Sequence, residues 1–359
     1  MAEDEKREEL KRQLAAGEYQ TLIDVILDRT GRLIQKLTRN PKLPSFWYSA
    51  AVIILLTSLI SFLISILLGE FSPLRRAHIP REIALMGLSF AGIIAIKVYV
   101  GMLFTTLRSK LLDAIGFAKD LNDLQHWLIG LCEVRRHLFF SLAFAFLTFF
   151  YAVIFIAPLM GGISGFGASF SVVVNGFIGG IMIYYLFLAL SLPVRLSRYQ
   201  FKLYGADPSS SEVVDSLADM LNNFVFITAV LAALATLIFA FLGVLNLASL
   251  VFIVFAIWIP LTTLFIINQY ALSKIITTAK WKTLNDIQAK IEKLQTQEEL
   301  PGKETLEHLN KLMDYHNRIK ATRNSALDLR AGLNFLNSLL LPLIAFVLGN
   351  LDKILAYFS

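Results

Sequence analysis

Aspartate and glutamate are missing from six long apolar stretches of this 359-residue chain, at about 47–69, 83–106, 138–160, 171–193, 223–244 and 247–271. Lys97 is the only cation inside them. Runs of that kind exclude a wholly water-soluble fold, because no globular domain of this size hides so much apolar surface. Cysteine is nearly missing too: Cys132 stands alone, which excludes an intrachain disulfide. Enzyme signatures are absent. There is no HExxH, GxSxG, Walker A or dinucleotide-binding glycine pattern, and no paired polar catalysts lie within the apolar runs. Of the five histidines only His308 and His316 share a helix face, at a spacing that suits a surface better than a metal site. These absences predict a non-enzyme without metal or cofactor. The lack of intramembrane acid also weighs against proton- or sodium-coupled transport, which uses ionisable groups at mid-membrane.

What is present is length. Each stretch meets the roughly 20 residues that a helix needs to cross a bilayer core. Charged residues make up only 17% of the chain, against about a quarter in soluble domains. The fold class is therefore all-α: a polytopic helical membrane protein with six transmembrane helices in three hairpins. Residues 1–45 read as a cytosolic, amphipathic helical region and 46–271 as the membrane domain. Residues 272–359 read as a cytosolic helical hairpin followed by an apolar helix. The first 45 residues lack the apolar core and cleavage site of a signal peptide, so the first span reads as an uncleaved anchor.

Orientation follows from the cations. Lys and Arg number nine before the first stretch, five in 107–137, three in 194–222 and twelve after 271, whereas the other face carries three, Arg75, Arg76 and Arg81. The positive-inside rule puts both termini in the cytosol of a plasma (inner) membrane. The formal charge of +6 then reads as a lipid-facing basic rim, and no nucleic-acid partner is implied.

Between the spans, the inner connections read as helical. Residues 4–38 form helices with a break near Ala15–Gly17, and the later part (Leu22, Ile23, Val25, Ile26, Leu33, Ile34, Leu37) is amphipathic and needs a surface to lie on. Phe46-Trp47-Tyr48 fits the cytosolic headgroup belt. Tyr204 to Pro208 is a turn, with Ser209 and Glu212 placed as a capping box. Ser109-Lys110-Leu111-Leu112 and Ser273-Lys274-Ile275-Ile276 head similar segments; such matches arise by chance in apolar helices, but a true repeat predicts that spans two and six continue into the cytosol as equivalent long helices. Leu284, Ile287, Ile291 and Leu294 form a coiled-coil-like seam, Pro301-Gly302 a turn, and Leu306, Leu309, Leu312, Met313 and Ile319 a second helix. Residues 331–348 suit a helix buried in the cytosolic assembly or lying at the interface, with a short seventh span as the alternative.

Candidate functional residues are few. Lys97 lies about ten residues inside the second span, roughly 15 Å of helix. No acid in any span neutralises it. It calls for a hydrated space, a lipid phosphate, a polar partner such as Asn175, or a shifted span that lets it snorkel; facing a pore, it would favour anions. Pro260 kinks span six above Thr262, Thr263, Asn268 and Gln269. Gly176, Gly179 and Gly180 offer small residues one turn apart for close helix packing, and Gly161–Gly167 reads as a flexible outer turn. Together these predict an oligomeric ion channel gated by its cytosolic helices, with the lipid bilayer, further copies of the chain and a cytosolic protein or small-molecule regulator as partners. The alternatives are a membrane scaffold that docks a soluble partner, or a transporter of a hydrophobic or lipid substrate.

Overall fold

Charge runs, caps and glycines punctuate the chain where its helices begin and end. The computed structural model describes residues 2–39, 45–67, 79–151, 153–154, 166–241, 254–297 and 303–324. Helix α1 (Ala2–Ala16) ends at Gly17, whose φ of 70° is a left-handed conformation open to glycine. Thr21 caps α2 (Leu22–Thr38): Asp24 N donates to Thr21 Oγ1, and Thr21 N donates back to the Asp24 carboxylate. The long apolar helices follow as α3 (Ser45–Leu67) and α4 (Ile79–Thr106), then α5 (Ala118–Cys132), α6 (Val134–Tyr151), α7 (Phe166–Leu196), α8 (Glu212–Phe241), α9 (Ile259–Gln297) and α10 (Lys303–Ala321). No strand occurs among the described residues, only one isolated bridge between Ile115 and Phe201.

Among the described residues, five helices are long and apolar enough to cross a membrane, in the windows Phe46–Ile64, Met86–Ala114, Val172–Leu196, Glu212–Ile238 and Ile259–Thr296. The third apolar stretch is carried by α6 as far as Tyr151. The first part of the expected outer turn (161–165), the Pro301–Gly302 turn and the apolar segment 331–348 lie outside the described residues.

Two expectations change. The predicted equivalence of spans two and six fails. A π-helical turn (Leu107–Leu111) and one α turn (Leu112–Ala114) extend α4, but Ile115 then turns extended, whereas α9 runs unbroken to Gln297. The break has a cause. Gly116 N donates to Gln200 O and Lys202 N to Ala114 O, so two connecting segments satisfy each other's backbone there. The second change concerns the turn at 204–208. Asp207, not Ser209, is the capping side chain: it accepts from Ser209 N and opens a 3-10 turn (Pro208–Ser210), after which α8 begins at Glu212.

The first inner connection climbs back along α7 instead of hanging free. Tyr184 OH donates to Gly130 O at 2.9 Å, Trp127 Nε1 to Ser191 Oγ at 3.0 Å, and Arg195 and Tyr199 both reach Asp123, at 2.8 and 2.7 Å. Burial tends to raise the Asp123 pKa, but the Tyr199 and Arg195 bonds outweigh it and hold the carboxyl below its usual range. The inward face of α5 is complete: Leu121, Leu124, Leu128 and Leu131 are fully buried. Against this layer packs α1. Arg7 donates to Leu112 O and Ile115 O, meeting carbonyls that the broken helix leaves free, and Lys11 pairs with Asp113 at 2.7 Å. Burial lifts the nearby Cys132 thiol to about 12, so it stays protonated at neutral pH.

At the far end α9 and α10 form a hairpin. Leu284, Ile287 and Ile291 pack with Ile319 of α10, flanked by Leu309 and Leu312. Lys280, buried, closes the base: its ammonium donates to Lys320 O, Thr322 O and Asn324 Oδ1 at 2.9, 2.6 and 2.8 Å.

Candidate functional site

Helices α4, α6, α7 and α8 line a half-open cavity of about 340 Å³ in the apolar bundle. Its wall runs from Leu88 to Tyr99 on α4, from Asn175 to Leu186 on α7 and from Phe224 to Ala235 on α8. Eleven residue steps on each helix make a slot roughly 16 Å tall at about 1.5 Å per residue.

Three of the few hydroxyls on the wall are bonded to protein. Ser89 donates to Asn175 Oδ1 at 2.7 Å, and Thr148 and Thr228 donate back to Phe144 O and Phe224 O on their own helices. Tyr99 and Phe224, with ring centroids 4.0 Å apart, form the floor. The Tyr185 hydroxyl is buried there and leans toward Thr21 without reaching hydrogen-bond geometry. Met182 narrows the slot: its terminal methyl lies so close to Gly92 that a Cβ there would be 1.5 Å away.

Close packing of α6 on α7 builds one wall. A Cβ at Gly180 would meet Ser141 Cα at 2.6 Å, one at Gly176 would meet Ala145 Cα at 2.8 Å, and one at Gly179 would meet the Phe144 ring at 2.9 Å. The first two obstacles are backbone, which cannot rotate aside.

The expected pore residues are divided among three places. Lys97 does not meet Asn175. Its ammonium pairs with Asp24 of α2 and lies 5.7 Å from the centre of the Phe46 ring, with its side chain about half exposed. It marks the upper end of a separate polar groove of about 540 Å³ between α4 and α8, which also touches Lys110, Asp219 and Asn223. Asn268 is buried and donates to Leu221 O, while Gln269 donates to Asn222 Oδ1, each at 3.2 Å; both join α9 to α8. Thr262 and Thr263 are exposed on the outer face of α9, the former bonded to Trp258 O. Pro260 follows directly on a π-helical turn (Val254–Trp258) at the start of α9.

Sequence reasoning missed Asp24 as the partner of Lys97 and missed the two tyrosines of the floor. A signal for Asp24 was present, since Thr-x-x-Asp before an apolar run marks a capped helix start. Nothing local said which helix it would meet. No family model, curated protein or solved structure matches this chain.

Proposed function

We propose that the protein takes up one apolar chain, from a lipid or lipid-like molecule, into the slot between α4, α6, α7 and α8, as a binder or carrier of a hydrophobic substrate. The observation that carries this reading is the shape and lining of the slot: roughly 16 Å tall, apolar, and with the hydroxyls of Ser89, Thr148 and Thr228 already bonded to protein. Ligand sites of this size are mostly apolar with a few fixed polar groups. Water or an ion in the slot would find almost no free partner, which argues against a conducting path there.

The same reading sets the bilayer. Asp24, Lys97, Phe46 and Tyr185 lie at one level of the bundle, and Trp47 and Tyr48 are exposed beside them. We take that level as the inner boundary of a plasma (inner) membrane crossed six times, with both termini cytosolic. The slot then rises from the inner headgroup region to mid-membrane, and α1, α5 and the α9–α10 hairpin lie in the cytosol. Lys97 becomes an interfacial residue rather than a mid-span charge.

The test is direct. The purified protein is titrated with a pyrene-labelled fatty acid. Ala232→Trp, which places an indole in the slot, is expected to weaken binding at least tenfold, while Leu234→Trp on the outer side of α8 leaves it unchanged. Equal binding by both variants would refute the slot as the site.

A second reading, an oligomeric ion channel gated by the cytosolic helices, is favoured by one observation. Helix α9 is continuous from the membrane segment into the hairpin and carries exposed Thr262 and Thr263. It requires conductance in planar bilayers that changes with Thr262→Val and Thr263→Val. Silent membranes containing intact protein would remove it.

A further inference from the structure

The fully buried residues of α2 lie in its first ten positions. Leu22, Ile23, Leu27 and Gly31 are buried, and beyond Gly31 no residue of the helix is. Leu33 is 60% exposed and Leu37 84%, one turn apart on one face. Arg29, Arg32, Lys36 and Arg39, all exposed, follow at intervals of three, four and three. That spacing aligns the first three in a stripe beside the leucines, and Arg39, left-handed at a φ of 53°, caps the end of the helix. No acid occurs between Arg29 and Arg39. The helix packs chiefly against α3, whose first turns expose Trp47 and Tyr48, residues that favour the headgroup layer.

We propose that residues 29–39 of α2 form a docking surface for anionic phospholipid of the inner leaflet. Leu33 and Leu37 dip below the headgroups, and the four cations reach outward to phosphate along their own aliphatic stems. Charge selects the occupant. A zwitterionic surface would suit the leucines alone, whereas an acid-free set of four cations matches a negatively charged leaflet. Because the capped start of α2 holds Asp24 against Lys97, the lipid-bound half and span two are joined through one helix. The inference uses the boundary level proposed above but not the slot, so loss of fatty-acid binding would leave it standing.

The experiment uses the full chain in nanodiscs of phosphatidylcholine with or without phosphatidylglycerol. A nitroxide is placed at Leu37→Cys on a Cys132→Ser background. Amide exchange over 30–39 is followed on the unlabelled protein. In anionic discs the label should collide with oxygen more than with a water-soluble nickel complex. Exchange should slow about tenfold relative to phosphatidylcholine, and both effects should vanish when the four cations become Gln or salt is raised. Water-like accessibility in both lipids, or exchange indifferent to phosphatidylglycerol, would overturn the proposal. So would protection that scales with protein density in the disc, which would mean a second copy is the occupant. Leu37→Asn, at a position that touches little, should reduce the protection without changing exchange in α5.

Discussion

Replacing Lys280 by Met tests how the cytosolic hairpin is fastened. The methionine keeps the length of the aliphatic stem and removes only the ammonium. In the native chain Lys280 is 5% exposed and its ammonium has three partners, all neutral: Lys320 O, Thr322 O and Asn324 Oδ1. Two are backbone carbonyls at the end of α10, where a helix has no acceptors' partners of its own. A hydrogen bond to a charged group contributes about 1.5–3 kcal/mol. Burying the ammonium costs several kcal/mol in return, so three such bonds leave a net contribution of roughly 2–4 kcal/mol. Desolvated carbonyls left behind in the variant act in the same direction. A loss of about 3 kcal/mol raises an opening equilibrium more than 100-fold, since 1.4 kcal/mol is a factor of ten.

The assay should read the hairpin alone, because a membrane bundle does not unfold in one step. Amide exchange over 305–319 reports the detachment of α10. Lys280→Met should speed it by about two orders of magnitude while exchange in α5 stays unchanged. Lys282→Met, two residues on and exposed, should have almost no effect. If Lys280→Met exchanges within threefold of the native chain, the ammonium is not what holds α10, and the apolar contacts of Ile319 with Leu284 and Ile287 must do so alone.

Other outcomes follow from the same geometry. Gly180→Ala should lower thermal stability in detergent by an amount corresponding to roughly 1–3 kcal/mol, the usual cost of overpacking, because its Cβ meets backbone of α6; Gly87→Ala, with nothing within 4 Å, is the control. Arg7→Met should speed exchange around 112–116, since it frees the carbonyls of Leu112 and Ile115. Asp123 has a lowered folded-state pKa, so its contribution is present above the ordinary value of 3.8 and is lost as pH falls through the lower folded value. Protection against exchange near 195–202 should therefore stay constant down to about pH 4 and fall below it, and Tyr199→Phe should make that fall smaller.

Much of the helical plan was legible because it rests on local chemistry. The break at Gly17, the amphipathic α2 and the seam of Leu284, Ile287 and Ile291 each depend on spacing within one segment. The slot was not legible. Its wall is made of Gly92, Met182, Ala232 and Tyr99, residues that look like any lipid-facing or packed position when read one helix at a time. Gly176, Gly179 and Gly180 announced a narrow place on α7, but only the fold names α6 as the neighbour. The Lys97–Asp24 pair joins residues far apart in sequence, and no pattern in either segment points to the other.

The reach of the second apolar stretch is the instructive case. Hydropathy treats residues 83–106 as one span because it scores removal from water without asking what replaces the water. Exposure in the fold separates the two. A helix that crosses a bilayer should show bare apolar side chains when the protein is viewed alone, and Leu55 and Leu59 of α3 are 60% and 57% exposed. Leu103 on α4 and the following Leu107, Leu111, Leu112 and Ile115 are all at 0%. Those residues are covered by protein, chiefly α1 and the segments around α5 and α8, and need no bilayer to explain them. Lys97 itself has both kinds of neighbour, with Ile96 and Tyr99 buried and Val98 45% exposed. An ammonium is costly at mid-membrane, so the boundary proposed above rests more on this one cation than on the apolar residues around it.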